Sequence, residues 1–201
     1  MISALDLSLT NAQWVNAIYN VIFAALLLGA GRLGDRVGRK TTFAAGVALF
    51  VGGSLLAAGA SGASSLIAAR AVQGVGGALV LPATLSSVSS LFTGKDRAAA
   101  FGVWGAVMSG TAALGPLLGG VLTQYASWRW IFWVNLPLGL LVLLGIFAWV
   151  PQTHGKQNVR GVDVDGVLTS AIGFGLIVFG LIEATTLGLS LIHISEPTRP
   201  Y

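Results

Sequence analysis

One arginine interrupts a long uncharged stretch. Thr41 to Ala69 and Ala71 to Gly94 carry no charge, and Arg70 stands between them, with Gln73 one turn on and Gly74 beside it. A charge inside an apolar span is costly unless it is paired or hydrated, so it is a functional candidate by default. Arg70 also lies near the end of its span, where a long side chain can snorkel to an interface. The residues alone leave both readings open. Glu183 is the only acid well inside an apolar block. It can hold a proton or pair with a cation, but its position favours reaching the outer interface.

A second concentration of chemistry reads Gly31-Arg32-Leu33-Gly34-Asp35-Arg36-Val37-Gly38-Arg39-Lys40. A positively charged turn accounts for the basic residues. Three glycines and an acid within the run ask for more: glycines permit tight turns, and Asp35 can pair with Arg36 or Arg39 or accept from a helix N-terminus. Gly29 to Gly34 also fits G-x-G-x-x-G. A dinucleotide site is rejected, because the preceding run has helix length and no acid lies about 20 residues downstream. His154 and His193 are isolated, no Ser/His/Asp set can be placed, and Cys is absent. No enzyme, cofactor or metal site is expected.

The elements that hold these residues follow from composition. The 201 residues are 55% hydrophobic and 9% charged, with 28 glycines, against about 25% charged in a soluble domain. Mean hydropathy is +0.83. A soluble globule, a disordered tail and a disulfide scaffold are excluded. The net charge of +4 is too small and scattered for nucleic-acid binding. A polytopic membrane protein remains.

A membrane helix needs about 20 mostly apolar residues. The uncharged blocks give an all-α bundle of six spans: Gln13–Leu33, Thr42–Ala60, Ser64–Leu85, Ala98–Gln124, Trp130–Val150 and Gly166–Leu187. They are too long and too uniform for the alternating strands of a barrel. Met1 to Gln13 has no basic n-region and is not expected to be a signal peptide. Arg32, Arg36, Arg39 and Lys40 lie in the first connection, Lys95 and Arg97 in the third, and Lys156 and Arg160 in the fifth; the second and fourth hold only Arg129. The bias places the odd connections in the cytoplasm and Met1 outside.

Gly and Pro gather in the fourth span. Ala106/Gly110 and Gly115/Gly119 are small-xxx-small pairs that let helix backbones approach. Pro116 removes a hydrogen bond and predicts a kink. Ordinary packing is the favoured reading, and a bend that gates a pathway is the alternative.

These residues resemble the major facilitator superfamily. Gly31 to Lys40 matches its signature between the second and third helices, and Arg70-x-x-Gln73-Gly74 its fourth-helix motif. Gly110 through Gly115-Pro116-Leu117-Leu118-Gly119-Gly120 resembles the fifth-helix antiporter motif. Trp128 to Gly139, and the segment opening at Asp163-Val164-Asp165-Gly166, are similar to the fourteen-helix drug:proton antiporters.

The resemblance implies a proton-coupled exporter of small, amphipathic or cationic molecules in the bacterial inner membrane. Asp35 and Arg39 would belong to a cytoplasmic charge network. Arg70 would assist proton coupling, and Gly115 and Pro116 would form a bend that limits leakage. Residues 1–12 would be the remnant of an extracytoplasmic loop, 13–150 family helices two to six, 151–165 a cytoplasmic loop and 166–188 an added linker helix. The first family helix and the C-terminal half would lie outside this sequence. Alternating access needs two halves, so transport by this stretch alone is not expected. The alternative is a short membrane scaffold or half-transporter acting as a homodimer.

Residues 189–201 shift to polar residues, Pro and charge. Leu189 to Arg199 reads as an in-frame translation of a transposase-type sequencing adapter, so no function is assigned to His193 or Glu196.

Overall fold

The computed structural model describes residue 5 and residues 8–155 and 164–183. Lys156, Arg160, Asp163 and Leu187, like the 189–201 segment, lie outside these. Among the described residues there are seven helices: α1 (Leu9–Val37), α2 (Arg39–Ala58), α3 (Ala63–Leu91), α4 (Gly94–Tyr125), α5 (Trp130–Trp133), α6 (Asn135–Trp149) and α7 (Val164–Glu183). Counting α5 and α6 together, six segments are long and apolar enough to cross a membrane. The bundle is all-α, as the uncharged runs predict.

Several ends differ from the sequence reading. The Ser8 hydroxyl caps α1 by accepting from the Asn11 N–H at 3.1 Å, so α1 begins inside the stretch expected to be a loop remnant. At its other end α1 continues helically through Arg32, Asp35 and Arg36 to Val37. Charges end an apolar run, but they do not end a helix. The turn expected over Gly31 to Lys40 shrinks to Gly38. Its φ of 113° lies in a region that suits only glycine. Gly31 and Gly34 are ordinary helical residues, where an added Cβ would meet Pro82 and Thr42 at no closer than 3.7 and 3.8 Å.

The interrupted fifth span has a local cause. Pro137 has no N–H, so the carbonyl of Trp133, four residues back, loses its helical donor. The α5–α6 break falls at Val134.

α3 packs along both α1 and α2, α6 lies on α2, and α7 lies on α1. Small residues close the central contact. A Cβ on Gly76 would stand 2.6 Å from the Phe50 backbone N, and one on Gly46 would stand 2.9 Å from the Gly76 carbonyl. A cluster of Val15, Ala57, Ala58, Leu66, Ala69, Trp128 and Phe132 fills one end of the bundle.

Hydrogen bonds fix which connections share an end. Arg39 N donates to Thr153 O at 2.9 Å, and Gly155 N to Asp35 O at 3.0 Å. The chain after α6 therefore returns to the α1–α2 turn. At the opposite end, Arg129 Nε and Nη2 donate to the carbonyls of Ala58 and Ala60, each at 3.0 Å.

α4 is the exception to the packing. It has no buried residue. No atom of the described residues, the helix's own backbone aside, lies within 4 Å of a Cβ built on Gly102, Gly105, Gly110, Gly115, Gly119 or Gly120. Among the described residues, the close small-residue contact is the one between α2 and α3. α4 also runs as one helix through Pro116, without the break that Pro137 brings to the fifth span.

Candidate functional site

Arg70 sits in the second turn of α3, and its side chain turns into the bundle rather than out along the helix. Its Nε donates to the Val15 carbonyl of α1 at 3.2 Å, and Nη1 to Gln73 Oε1 at 2.9 Å. The guanidinium carbon stands 4.5 Å from the centroid of the Tyr19 ring, a cation–π distance. Among the described residues no carboxylate is paired with Arg70; Asp35 pairs with Arg39 instead. A carbonyl, an amide and a ring face hold the cation.

Gln73 carries the network on. It is buried, 1% exposed, and its Nε2 donates to Ser54 Oγ of α2 at 2.7 Å. Ser54 donates to the Phe50 carbonyl one turn back at 2.8 Å, and accepts from Asn135 Nδ2, at the start of α6, at 3.2 Å. A hydroxyl has one hydrogen and two lone pairs, so Ser54 is saturated. Gly74 completes the motif sterically, since a Cβ there would stand 2.8 Å from the Tyr19 carbonyl. Arg70, Gln73 and Gly74 thus join α3 to α1 and α2.

Arg70 stands out in the sequence by its charge; Ser54 and Tyr19 do not stand out, and Asn135 does so only as part of the Trp128 to Gly139 motif. They are neutral polar residues in apolar runs. The available signal was weak: a serine and an asparagine inside spans that otherwise carry few hydrogen-bonding side chains.

The second constellation straddles Gly38. Arg39 Nε and Nη2 donate to Asp35 Oδ1 at 3.2 and 3.0 Å, and Nη1 donates to the Ser86 carbonyl of α3 at 3.0 Å. Of the partners open to Asp35, Arg39 is the one that closes on it. Lys40 Nζ donates to the Phe147 carbonyl at 3.2 Å and lies 5.8 Å from the centroid of that ring. Arg36 is exposed on the last turn of α1. One cation thus ties three helices at this end.

The third set does not converge with the others. Gly110, Gly115, Pro116, Gly119 and Gly120 are exposed or half-exposed along α4. Glu183, at the end of α7, accepts from Trp14 Nε1 at 3.3 Å. It engages α1, and Trp14 also meets Phe179 of α7 with ring centroids 6.1 Å apart.

Among the described residues, six membrane-length helices, a cation held by neutral groups inside them and a charged tie at one end are the features of a polytopic membrane protein. The sequence profile of the Major Facilitator Superfamily matches residues 1–195, a span that includes the first residues of the 189–201 segment. The chain belongs to this superfamily.

The chain is 38% identical over 189 residues to the methylenomycin A resistance protein of Bacillus subtilis (strain 168), covering 94% of this chain and 40% of that protein. It is 42% identical over 181 residues to the puromycin resistance protein pur8 of Streptomyces alboniger, covering 90% and 36%. It is 37% identical over 177 residues to the multidrug resistance protein Stp of Mycobacterium tuberculosis, covering 88% and 33%. The chain therefore spans well under half the length of these relatives. Among solved structures, a peptide transporter, POT, matches with a TM-score of 0.68 at 22% identity over 94% of this chain and 41% of that one. That likeness is one of fold.

Proposed function

We propose that the chain supplies one helical bundle of a proton-coupled exporter of small amphipathic molecules, working as a multi-pass protein of the bacterial plasma membrane. The relatives that are resistance proteins support the substrate class. The observation that carries the coupling role is Arg70, a cation held inside the bundle by Val15, Gln73 and Tyr19 with no paired carboxylate among the described residues. A carboxylate that gains and loses a proton would find there a cation to pair with only when ionised.

In this reading the Asp35–Arg39 clamp steadies one conformation at the cytoplasmic end. Gly115 and Pro116 on α4 shape a seal against a second bundle. Alternating access needs two bundles about a midplane site, so this chain on its own is expected not to transport.

The test is proton-driven ethidium efflux in everted vesicles from cells producing the whole reading frame that contains this sequence. Arg70→Ala is expected to lower efflux at least tenfold while surface expression holds. Undiminished proton-driven efflux by Arg70→Ala overturns the coupling role, and efflux by the 201-residue chain alone overturns the requirement for a second bundle.

A further inference from the structure

A groove of about 540 Å³ runs along one side of the α2–α6 contact. At the contact itself, Val47 and Val51 of α2 meet Gly139 of α6. To one side of them, Phe43 and Phe50 line a hollow between α1, α2, α3, α4 and α6. To the other side, Ala45 and Ala48 are exposed, and with Ala44, Leu143 and Phe147 they line the groove. The hollow and the groove share no lining residue among the described ones. A further segment packed into the hollow would therefore not occupy the groove.

The groove is charged at one end. Lys40 stands there, and it is the one charge among the described residues that line it. Its Nζ donates to the Phe147 carbonyl at 3.2 Å and lies 5.8 Å from the centroid of that ring, so the ammonium is held at the groove. An ammonium has three hydrogens, and the other two have no partner among the described residues. The neighbouring cation is engaged elsewhere, since Arg39 pairs with Asp35. From Lys40 the groove follows α2 to Ala48, about 12 Å at the rise of an α-helix. Half of a bilayer's hydrocarbon core is about 15 Å thick. Three alanines leave the room, and Leu143 and Phe147 bound it on α6. Lys40 also belongs to the end of the bundle that carries the basic connections, the end that the charge bias places in the cytoplasm.

We propose that the groove holds an anionic phospholipid of the cytoplasmic leaflet, with its phosphate at Lys40 and one acyl chain laid along Ala44, Ala45 and Ala48. Charge and shape together select this occupant. A basic residue between membrane helices at the cytoplasmic surface attracts an anionic head group, and the apolar groove below it takes hydrocarbon. A free phosphate would leave that groove unfilled. A zwitterionic lipid brings a cation of its own, for which the described lining residues offer no carboxylate. The site rests on the membrane placement of the helices and not on the molecule exported.

Photolabelling tests this on the whole reading frame that contains this sequence, purified into phosphatidylcholine nanodiscs. Phosphatidylglycerol or phosphatidylcholine, each with the same diazirine on one acyl chain, is added in trace amount, and labelled positions are read by peptide mass spectrometry. Phosphatidylglycerol is expected to label residues 44–48 and 143–147 about fivefold more than phosphatidylcholine, the worth of one basic residue at a membrane surface. Unlabelled phosphatidylglycerol should compete with it. Lys40→Gln should abolish the preference and Lys40→Arg should keep it. Ala48→Trp, at an exposed position, fills the groove and should lower labelling by both lipids. It keeps the test open if Lys40→Gln fails to fold.

Equal labelling by the two lipids overturns the proposal, as does a preference that survives Lys40→Gln or labelling indifferent to Ala48→Trp. Absence of groove labelling by either lipid also overturns it, because another segment of the protein then covers the groove. Competition by soluble glycerol phosphate would assign Lys40 to a free anion and overturn the lipid. Selective labelling combined with no efflux by the same protein would remove the exporter reading and leave the lipid site standing.

Discussion

The Arg39 guanidinium lies 3.0 Å from the Asp35 carboxylate although the two residues belong to different helices, α2 and α1. Four residues is the spacing of a helical ion pair, but here Gly38 intervenes. The same guanidinium reaches the Ser86 carbonyl on α3. The pair is therefore a tie between elements.

Asp35→Asn and Arg39→Ala are expected to differ. The Asp35 side chain is 33% exposed, and partly exposed pairs contribute about 0–1 kcal/mol. Asp35→Asn should stay within that range. Arg39→Ala also strips the Ser86 carbonyl of its donor and should cost about 1 kcal/mol more. Chemical unfolding of the two variants in mixed micelles compares them.

Gly38→Ala should be less stable by about 1–3 kcal/mol, since a non-glycine residue is held there at strained backbone angles. A Cβ at Gly38 would also collide with the Gln152 side chain. A thermal melt followed by circular dichroism reads the loss, and an unchanged midpoint would show that the turn relaxes to another geometry.

Ser54→Ala leaves the Gln73 and Asn135 amides short of an acceptor. A buried group left unpaired costs about 1–3 kcal/mol. Ser54→Ala with Gln73→Leu should therefore cost less than the sum of the single variants. Additive losses in the double-mutant cycle would mean that the Ser54 and Gln73 side chains do not act as a unit.

Gly76→Leu and Gly105→Leu make a paired contrast. At Gly76 any Cβ meets the Phe50 backbone, whereas Gly105 has nothing within 4 Å. Overpacking a close contact costs about 1–3 kcal/mol, so Gly76→Leu should lose resistance to limited proteolysis and Gly105→Leu should keep it.

The membrane-length helices were legible because uncharged runs of that length have few other uses. Their ends were less so. Arg32, Asp35 and Arg36 ended the apolar run, but the helix beneath them continues to Val37, where its charged side chains project from its last turns. Arg70 was legible as a charge in a wrong place; its partners were not, because Ser54 and Asn135 become informative only when three helices bring them within 3.2 Å of one another. Glycine spacing marks where a close approach is possible; that α2 and α3 use it within the described residues depends on shape at long range in the chain.

The contact of α2 and α3 is built largely from glycine and alanine, with Gly46, Gly53, Gly76, Ala57, Ala69 and Ala78 all buried. Such side chains have no rotamers to exchange. A seam of this kind has no side-chain rearrangement to slip into, so α2 and α3 are expected to move as a single wedge. Deformation is then left to the joints around that wedge, at Gly38, at Val134 and along the sparsely held α4.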